Sequence, residues 1–246
     1  MPTLVTGASG TLGRAFAALL PDALTPSSAE MDVRSEARVL EYVSDNRVDR
    51  VIHCAALTSL RECEEHPWEA YRTNVLGTKN LCDALSFCAS EPYLVYISTA
   101  CVFDGHDLDA VYVETDVARP TNYYGLSKLL AEHVIQGWSR ATAGPRGLVA
   151  RTNFAERGRW KYPAAFTDRF GTYLYPDQVA ARVHALMAEG MTGIVHVCGE
   201  RRLSMFEFAR LADASVLETT MGEYDGPPLT VNMSLGSERI APLSLP

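Results

Sequence analysis

Thr3-Leu4-Val5-Thr6-Gly7-Ala8-Ser9-Gly10-Thr11-Leu12-Gly13 is the stretch that decides the fold. A short apolar run meets a G-x-x-G-x-x-G turn, and residues 11–20 follow with Leu12, Phe16, Leu19 and Leu20 on one helical face. The pattern predicts strand, glycine turn and helix. Gly7 permits the tight turn, Gly10 lets the backbone approach a diphosphate, and Gly13 lets helix and strand pack closely. The helix start then offers free N–H groups and a partial positive charge to an anion. A glycine-rich turn without a ligand is the plain alternative. The position of this turn, first in an alternating chain, argues for the ligand.

Outward from the turn, the alternation continues. A weak strand is expected at 22–25, ended by Pro26. Ser35 caps a predicted helix over 35–46, and Arg50–Ala55 reads as a buried strand. A long helix is predicted over 67–89, a central strand over 93–97, a helix over 122–141 and a strand over 147–150. Val-, Ile- and Leu-rich strands alternating with helices imply a parallel sheet covered on both faces. After Arg151 the rhythm weakens. Residues 154–173 show no clean period, 177–189 read as a helix, 193–198 as a strand, and Ser204 as the cap of a further helix. The tail after Gly222 shows no clear element.

Composition narrows the function. The chain has 246 residues, 47% of them hydrophobic, enough for a sizeable core. Its 22 Lys and Arg stand against 30 Asp and Glu, a net charge of −8. Such a chain is a poor general nucleic-acid binder. No run approaches the roughly 18 apolar residues of a spanning helix. The N-terminus lacks the basic lead and apolar stretch of an export signal. The six cysteines are scattered without a CxxC pair and read as reduced thiols of a cytoplasmic protein. No histidine stands at metal-ligand spacing from another His or a Cys, so no metal is expected.

Tyr124-Gly125-Leu126-Ser127-Lys128 places Tyr124 and Lys128 at i, i+4 on one face of the predicted 122–141 helix. A neighbouring ammonium moves a phenol's pKa down, towards a useful proton donor. A surface Tyr–Lys pair is the bland alternative. Ile97-Ser98-Thr99 shifts the balance, because hydroxyls at the end of a central strand face the crevice where open α/β sheets bind ligands. A hydroxyl, a Tyr and a Lys together make a carbonyl-reducing site.

These features resemble the extended short-chain dehydrogenase/reductases, and within them the dTDP-4-dehydrorhamnose reductase group. The resemblance rests on the glycine turn, Cys54-Ala55-Ala56-Leu57-Thr58, Thr73-Asn74-Val75-Leu76-Gly77-Thr78, Tyr96-Ile97-Ser98-Thr99 and Val102-Phe103-Asp104-Gly105. It continues through Tyr124–Lys128 with Glu132, Arg151-Thr152-Asn153-Phe154, and Gly193-Ile194-Val195-His196-Val197. It implies an α/β, Rossmann-type doubly wound parallel sheet with a small, shortened C-terminal substrate-binding lobe. The cofactor domain would span 1–151 and the lobe 152–246, partly interleaved with the first. It also implies reduction of a nucleotide-linked 4-keto-6-deoxy sugar. Thr99, Tyr124 and Lys128 would be catalytic. Gly7, Ser9, Gly10, Thr11, Leu12 and Gly13 would hold the cofactor diphosphate. Asp32 and Val33 would lie near the adenine, and Ala55, Ala56 and Leu57 would flank the cofactor. Asn74 and Ser98 would complete its site. Thr58, Cys101 and Phe154 are substrate-side candidates. Pairing of two copies through the helices flanking the active-site strand stays open.

Two departures qualify the resemblance. Ala100-Cys101 follows Thr99 where the group carries Asp-Tyr, and that Tyr would help position the sugar. The acidic pair of the related 4,6-dehydratases is also missing, which speaks against dehydration. Two alternatives follow: an epimerase/reductase like GDP-fucose synthase using Cys101, or a cofactor-bound regulatory subunit without turnover. No acid ends the second strand at Thr25-Pro26-Ser27-Ser28, which favours NADP(H) over NAD(H). No obvious Arg stands there either. Arg151, Arg157, Arg159, Lys161 and Arg169 form the densest basic region, suited to a nucleotide diphosphate or, alternatively, to a solvated face.

Overall fold

Two residue patterns build the central sheet: β-branched runs that are buried on both faces, and helices that return each strand to the same edge. The computed structural model describes residues 2–88, 90–141, 146–158 and 160–245. The first strand, β1 (Thr3–Thr6), leads through the glycine turn into α1 (Thr11–Leu19). Then come α2 (Glu36–Asp45), β2 (Arg50–His53), α3 (Leu60–Glu65) and α4 (Pro67–Ala70). A π-helical turn, Tyr71–Leu76, joins α4 to α5 (Gly77–Ser86). β3 (Tyr93–Thr99), α6 (Tyr123–Ala141) and β4 (Gly147–Thr152) complete the first half. The second half holds β5 (Ala164–Phe166), β6 (Phe170–Gly171), α7 (Pro176–Ala188), β7 (Gly193–Val197), β8 (Leu203–Ser204), α8 (Met205–Arg210), β9 (Leu217–Thr219) and β10 (Asn232–Met233).

The main sheet runs β1-β2-β3-β4-β7, and every pairing in it is parallel. Alternation along each strand sends side chains to opposite faces. Leu4, Val51, Leu94 and Val149 pack on one face against Val39 of α2, Leu81 of α5 and Ile135 of α6. Val5, Ile52, Val95 and Leu148 pack on the other against Phe16 of α1 and Val179 and Val183 of α7. This is the doubly wound α/β sheet the sequence predicts. Ser35, Ser59 and Ser204 cap α2, α3 and α8 through their hydroxyls.

Three expectations need correction. The predicted 67–89 helix is three segments ending at Ser86, with a π turn in the middle. The helix α3 before it was not expected. The 22–25 strand is a single bridge, Leu24 to Leu4, because Pro26 follows at once. The tail after Gly222 is built into the fold: β10 pairs with β6, which also pairs with β8, and Leu235 and Leu243 bridge to Tyr112 and Gly199. The chain also crosses back at 176–197, where α7 packs on α1 and β7 forms the fifth strand of the main sheet.

The tail carries polar atoms into the interior by giving them backbone partners. Asn232 is fully buried; its amide donates to the Asp107 and Ala110 carbonyls at 2.7 and 2.8 Å, and its Oδ1 accepts the Ser234 N–H. Asn232→Ala leaves those groups without partners in a dry site. We expect a loss of about 2–4 kcal/mol, read from the midpoint of urea unfolding.

Candidate active site

The carboxyl ends of β1, β2, β3 and β4 open onto a cleft of about 520 Å³. Its floor starts at Gly7. This residue has φ +65°, and a Cβ on it would stand 2.6 Å from the Ala55 nitrogen. Gly13 is tighter, since its Cβ would stand 2.1 Å from the Gly7 carbonyl oxygen. Only glycine lets α1 start this close to β1. The N-cap of α1 is Gly10, which supplies no side-chain hydrogen bond. The first-turn N–H groups therefore face the cleft without a protein acceptor from the cap. This uncapped start suits a diphosphate.

The cleft brings together most of the residues picked from the sequence. Ser9, Gly10, Thr11 and Leu12 line it from the glycine turn. Ala55, Ala56 and Thr58 line it from the loop after β2. Ser98, Thr99, Tyr124 and Lys128 form one wall, and Thr152, Asn153 and Phe154 the wall after β4. A second groove shares Gly7, Ser9 and Ala55 with the cleft and runs along residues 25–34, Asp32 and Val33 among them. Two grooves meeting at the glycine turn fit an elongated dinucleotide.

Three sequence candidates lie elsewhere. Leu57 and Asn74 sit behind the cleft: the Asn74 Oδ1 accepts the Leu57 N–H at 2.7 Å, and its Nδ2 donates to the Leu57 carbonyl and to Ser127 Oγ. Asn74 thus holds the loop after β2 against α6. Cys101 is buried, with its Sγ 3.9 Å from the Met233 Sδ, and does not line either groove.

The electrostatics of the Tyr–Lys pair run against expectation. Tyr124 is half-buried at the cleft wall, and desolvation pushes its pKa above the ordinary phenol range; Cys101 adds to the rise and a hydrogen bond with Thr99 opposes it. Lys128 is buried, and burial brings its pKa down to about 7, against the pull of Cys54 and Glu132. Its Nζ lies 4.1 Å from the centroid of the Tyr96 ring. The spacing brings the two side chains to one wall. Desolvation of each group, rather than ammonium–phenolate attraction, is the largest influence on their proton affinities.

The expected basic region does not assemble. Arg151 is buried in an ion pair with Glu132 at 2.7 Å, and Arg169 is buried with its Nε donating to the Thr230 carbonyl. Arg157 pairs with Asp177. Lys161 lies beside Tyr162, away from the cleft. Arg159 falls outside the described residues. Proximity in sequence did not give a common face, because β4 directs Arg151 inward and the later loop scatters the rest.

Sequence reasoning also missed some residues. Arg14, one turn into α1, donates to the Ser9 carbonyl and pairs with Glu156, whose carboxylate also accepts the Thr11 hydroxyl at 2.8 Å. An i+3 cation after Thr11 was the available signal. Arg34 lines the second groove, where Asp32 pairs with it at 2.8 Å. Glu30 lines the same groove, and both it and Arg34 lie beyond the Thr25–Ser28 segment where a ribose-binding side chain is expected.

A family model described as the RmlD substrate binding domain matches residues 1–160. The dTDP-4-dehydrorhamnose reductase of Aggregatibacter actinomycetemcomitans is 29% identical over 231 residues, covering 84% of this chain and 76% of that protein. Among solved structures, a dTDP-4-dehydrorhamnose reductase from Clostridium acetobutylicum superposes with a TM-score of 0.84 at 25% identity, over 96% of this chain and 89% of the other. One from Bacillus anthracis, in complex with NADP, gives 0.83 at 24% identity, over 96% and 90%.

The low proton affinity of Lys128 has a consequence for stability. Unfolded lysine keeps its proton to about pH 10.4, and folded Lys128 loses it near pH 7. Between those values the unfolded chain binds more protons, so rising pH favours the folded state. The burial penalty is fully present below about pH 7 and fades as the pH approaches 10. Lys128→Met should therefore stabilise the protein most at pH 6 and progressively less up to pH 10, measured by urea unfolding across that range.

Proposed function

The chain belongs to the RmlD substrate binding domain family, and on that premise we propose that it reduces the ketone of a nucleotide-linked 4-keto-6-deoxy sugar with NADP(H). The observation that carries this reading is the convergence of Thr99, Tyr124 and Lys128 on the cleft that opens at the uncapped start of α1. The names of the reductase relatives support the substrate class. The NADP in the Bacillus anthracis protein supports the cofactor, as does Arg34, which lines the second groove beside Asp32. The sugar side falls to residues 152–246, apart from α7 and β7. The unpaired cysteines suit the reducing cytoplasm.

When bound, the cofactor supplies a hydride to the ketone carbon. The protein's part is to hold the oxygen and deliver a proton. Thr99 Oγ1 accepts the Cys101 N–H at 3.1 Å and hydrogen-bonds Tyr124, so the two hydroxyls stand together to meet a substrate oxygen. Tyr124 keeps its proton at neutral pH because burial disfavours the phenolate. That state is the one needed for donation in the reducing direction. An anion entering the cleft favours the charged form of Lys128, and a charged Lys128 makes the phenol a better acid. The α1 N–H groups are the donors placed for a diphosphate, while the Thr11 hydroxyl and Arg14 are held by Glu156. An epimerising role for Cys101 draws less support, since its thiol lies against Met233. The complete Thr, Tyr and Lys set favours turnover over a purely regulatory role.

Tyr124→Phe should lower kcat by roughly 10²–10⁴-fold while NADPH binding, followed by fluorescence titration, stays close to wild type. Retained turnover of dTDP-4-keto sugars would sink the assignment. Arg34→Ala should narrow the preference for NADPH over NADH, read from the ratio of the two dissociation constants.

A further inference from the structure

β3 ends in two adjacent hydroxyls, and both line the cleft. Their hydrogen bonds run in opposite senses. Thr99 Oγ1 accepts an N–H from Cys101, so its own proton is directed to Tyr124 or to a ligand oxygen. Ser98 Oγ lies 2.5 Å from Glu132 Oε1. Glu132 is fully buried, and Arg151 reaches it with Nε 3.0 and 3.2 Å from its two oxygens and with a terminal nitrogen at 2.7 Å. A carboxylate ringed by donors accepts on every side, so Ser98 must donate to it, and that uses the only proton Ser98 has.

The network behind Glu132 fixes the same direction. The Nδ1 of His196 stands 2.8 Å from the Gly236 carbonyl and 3.1 Å from the Tyr112 carbonyl. Two acceptors there require the ring proton on Nδ1. Nε2 is then the acceptor that meets Arg151 at 3.4 Å. Each member has one available polarity, from the carbonyls of Tyr112 and Gly236 through His196, Arg151 and Glu132 to Ser98.

We infer that Glu132 is a positioning residue that acts through Ser98: it fixes Ser98 as a hydrogen-bond acceptor facing the cleft, where it receives an N–H or O–H from the bound ligands. Two ligand groups have that chemistry, the carboxamide of the nicotinamide ring and a hydroxyl of the sugar. From opposite faces of the end of β3, Thr99 gives a proton to an oxygen and Ser98 takes one from a donor, so the pair reads the orientation of what enters. The inference rests on the cofactor-and-sugar reading of the cleft.

Ser98→Ala, Glu132→Gln and the double variant test it. Ser98→Ala leaves the Glu132–Arg151 pair intact and so serves even where Glu132→Gln folds poorly; circular dichroism checks each. NADPH affinity is measured by fluorescence titration, then repeated with the 3-acetylpyridine analogue of NADP, whose ring substituent has no N–H. KM is measured with a dTDP-4-keto-6-deoxy sugar. Ser98→Ala should weaken one ligand about five- to tenfold, with the double variant no worse than Ser98→Ala. A loss seen with NADPH but not with the analogue identifies the carboxamide as the donor. A loss confined to the sugar KM identifies the hydroxyl. Unchanged NADPH affinity and sugar KM in Ser98→Ala overturns the inference. Additive losses in the double variant overturn it too, because Glu132 would then act on the fold alone. A wild-type protein that binds neither NADPH nor NADH overturns the cofactor reading and this inference with it.

Discussion

The parallel hydrogen bonding of the main sheet is the constraint on which the site depends. With all five strands running one way, their carboxyl ends share one edge, and every connection must leave from it. Register then shapes that edge. His53, the end of β2, pairs with Tyr96, whereas β3 runs on to Thr99 beside Thr152. The step of three residues beyond β2 lifts Ser98 and Thr99 above the neighbouring strand. Beside the step, Gly7 and Gly13 bring the start of α1 down to β1. A wall of hydroxyls and a free helix start therefore face one cleft without any long loop to position them.

The interior around this wall is more polar than a doubly wound core requires. His53 sits fully enclosed between the Thr6 and Thr78 hydroxyls, and burial drives its pKa down to about 3, so it stays neutral. Glu132 and Arg151 form a buried ion pair between α6 and β4. Such pairs are weak evidence for stability, because removing both charges from water offsets much of their attraction. What they do supply is direction: each bond has a fixed donor and acceptor, and the α6–β4 contact has one arrangement. Lys128 shows the other side of the same dryness, since its charge has become easy to lose.

Much of the fold was legible because its signals are local. The glycine turn, the Val- and Ile-rich strands and the serine caps each act within a few residues, and the structure shows all three. The Thr99, Tyr124 and Lys128 set was legible because spacing on one strand and one helix turn controls which wall they share. Proton affinities were not, since desolvation of Tyr124 and Lys128 depends on contacts that no spacing reveals. The basic cluster misled for a related reason: Arg151 finds its partner 19 residues back, on α6. The tail was hardest. Thr230, Asn232 and Ser234 are polar, yet fully buried, and Asn232 meets partners more than 100 residues away. No hydrophobic period marks such a segment.

That tail also imposes an order of assembly. β1 to β4, with the helices between them, draw their sheet partners from residues 3–152, and β7 joins at 193–197. The three-stranded sheet has β6 at its centre, and one of its two neighbours is β10, at 232–233. During synthesis the main sheet can close its ladder while β6 still shows an open edge on one side. An unpaired edge invites pairing with other chains. Residues 230–236, made late, are therefore the ones that end that exposure, and a ribosome pausing before them would prolong it.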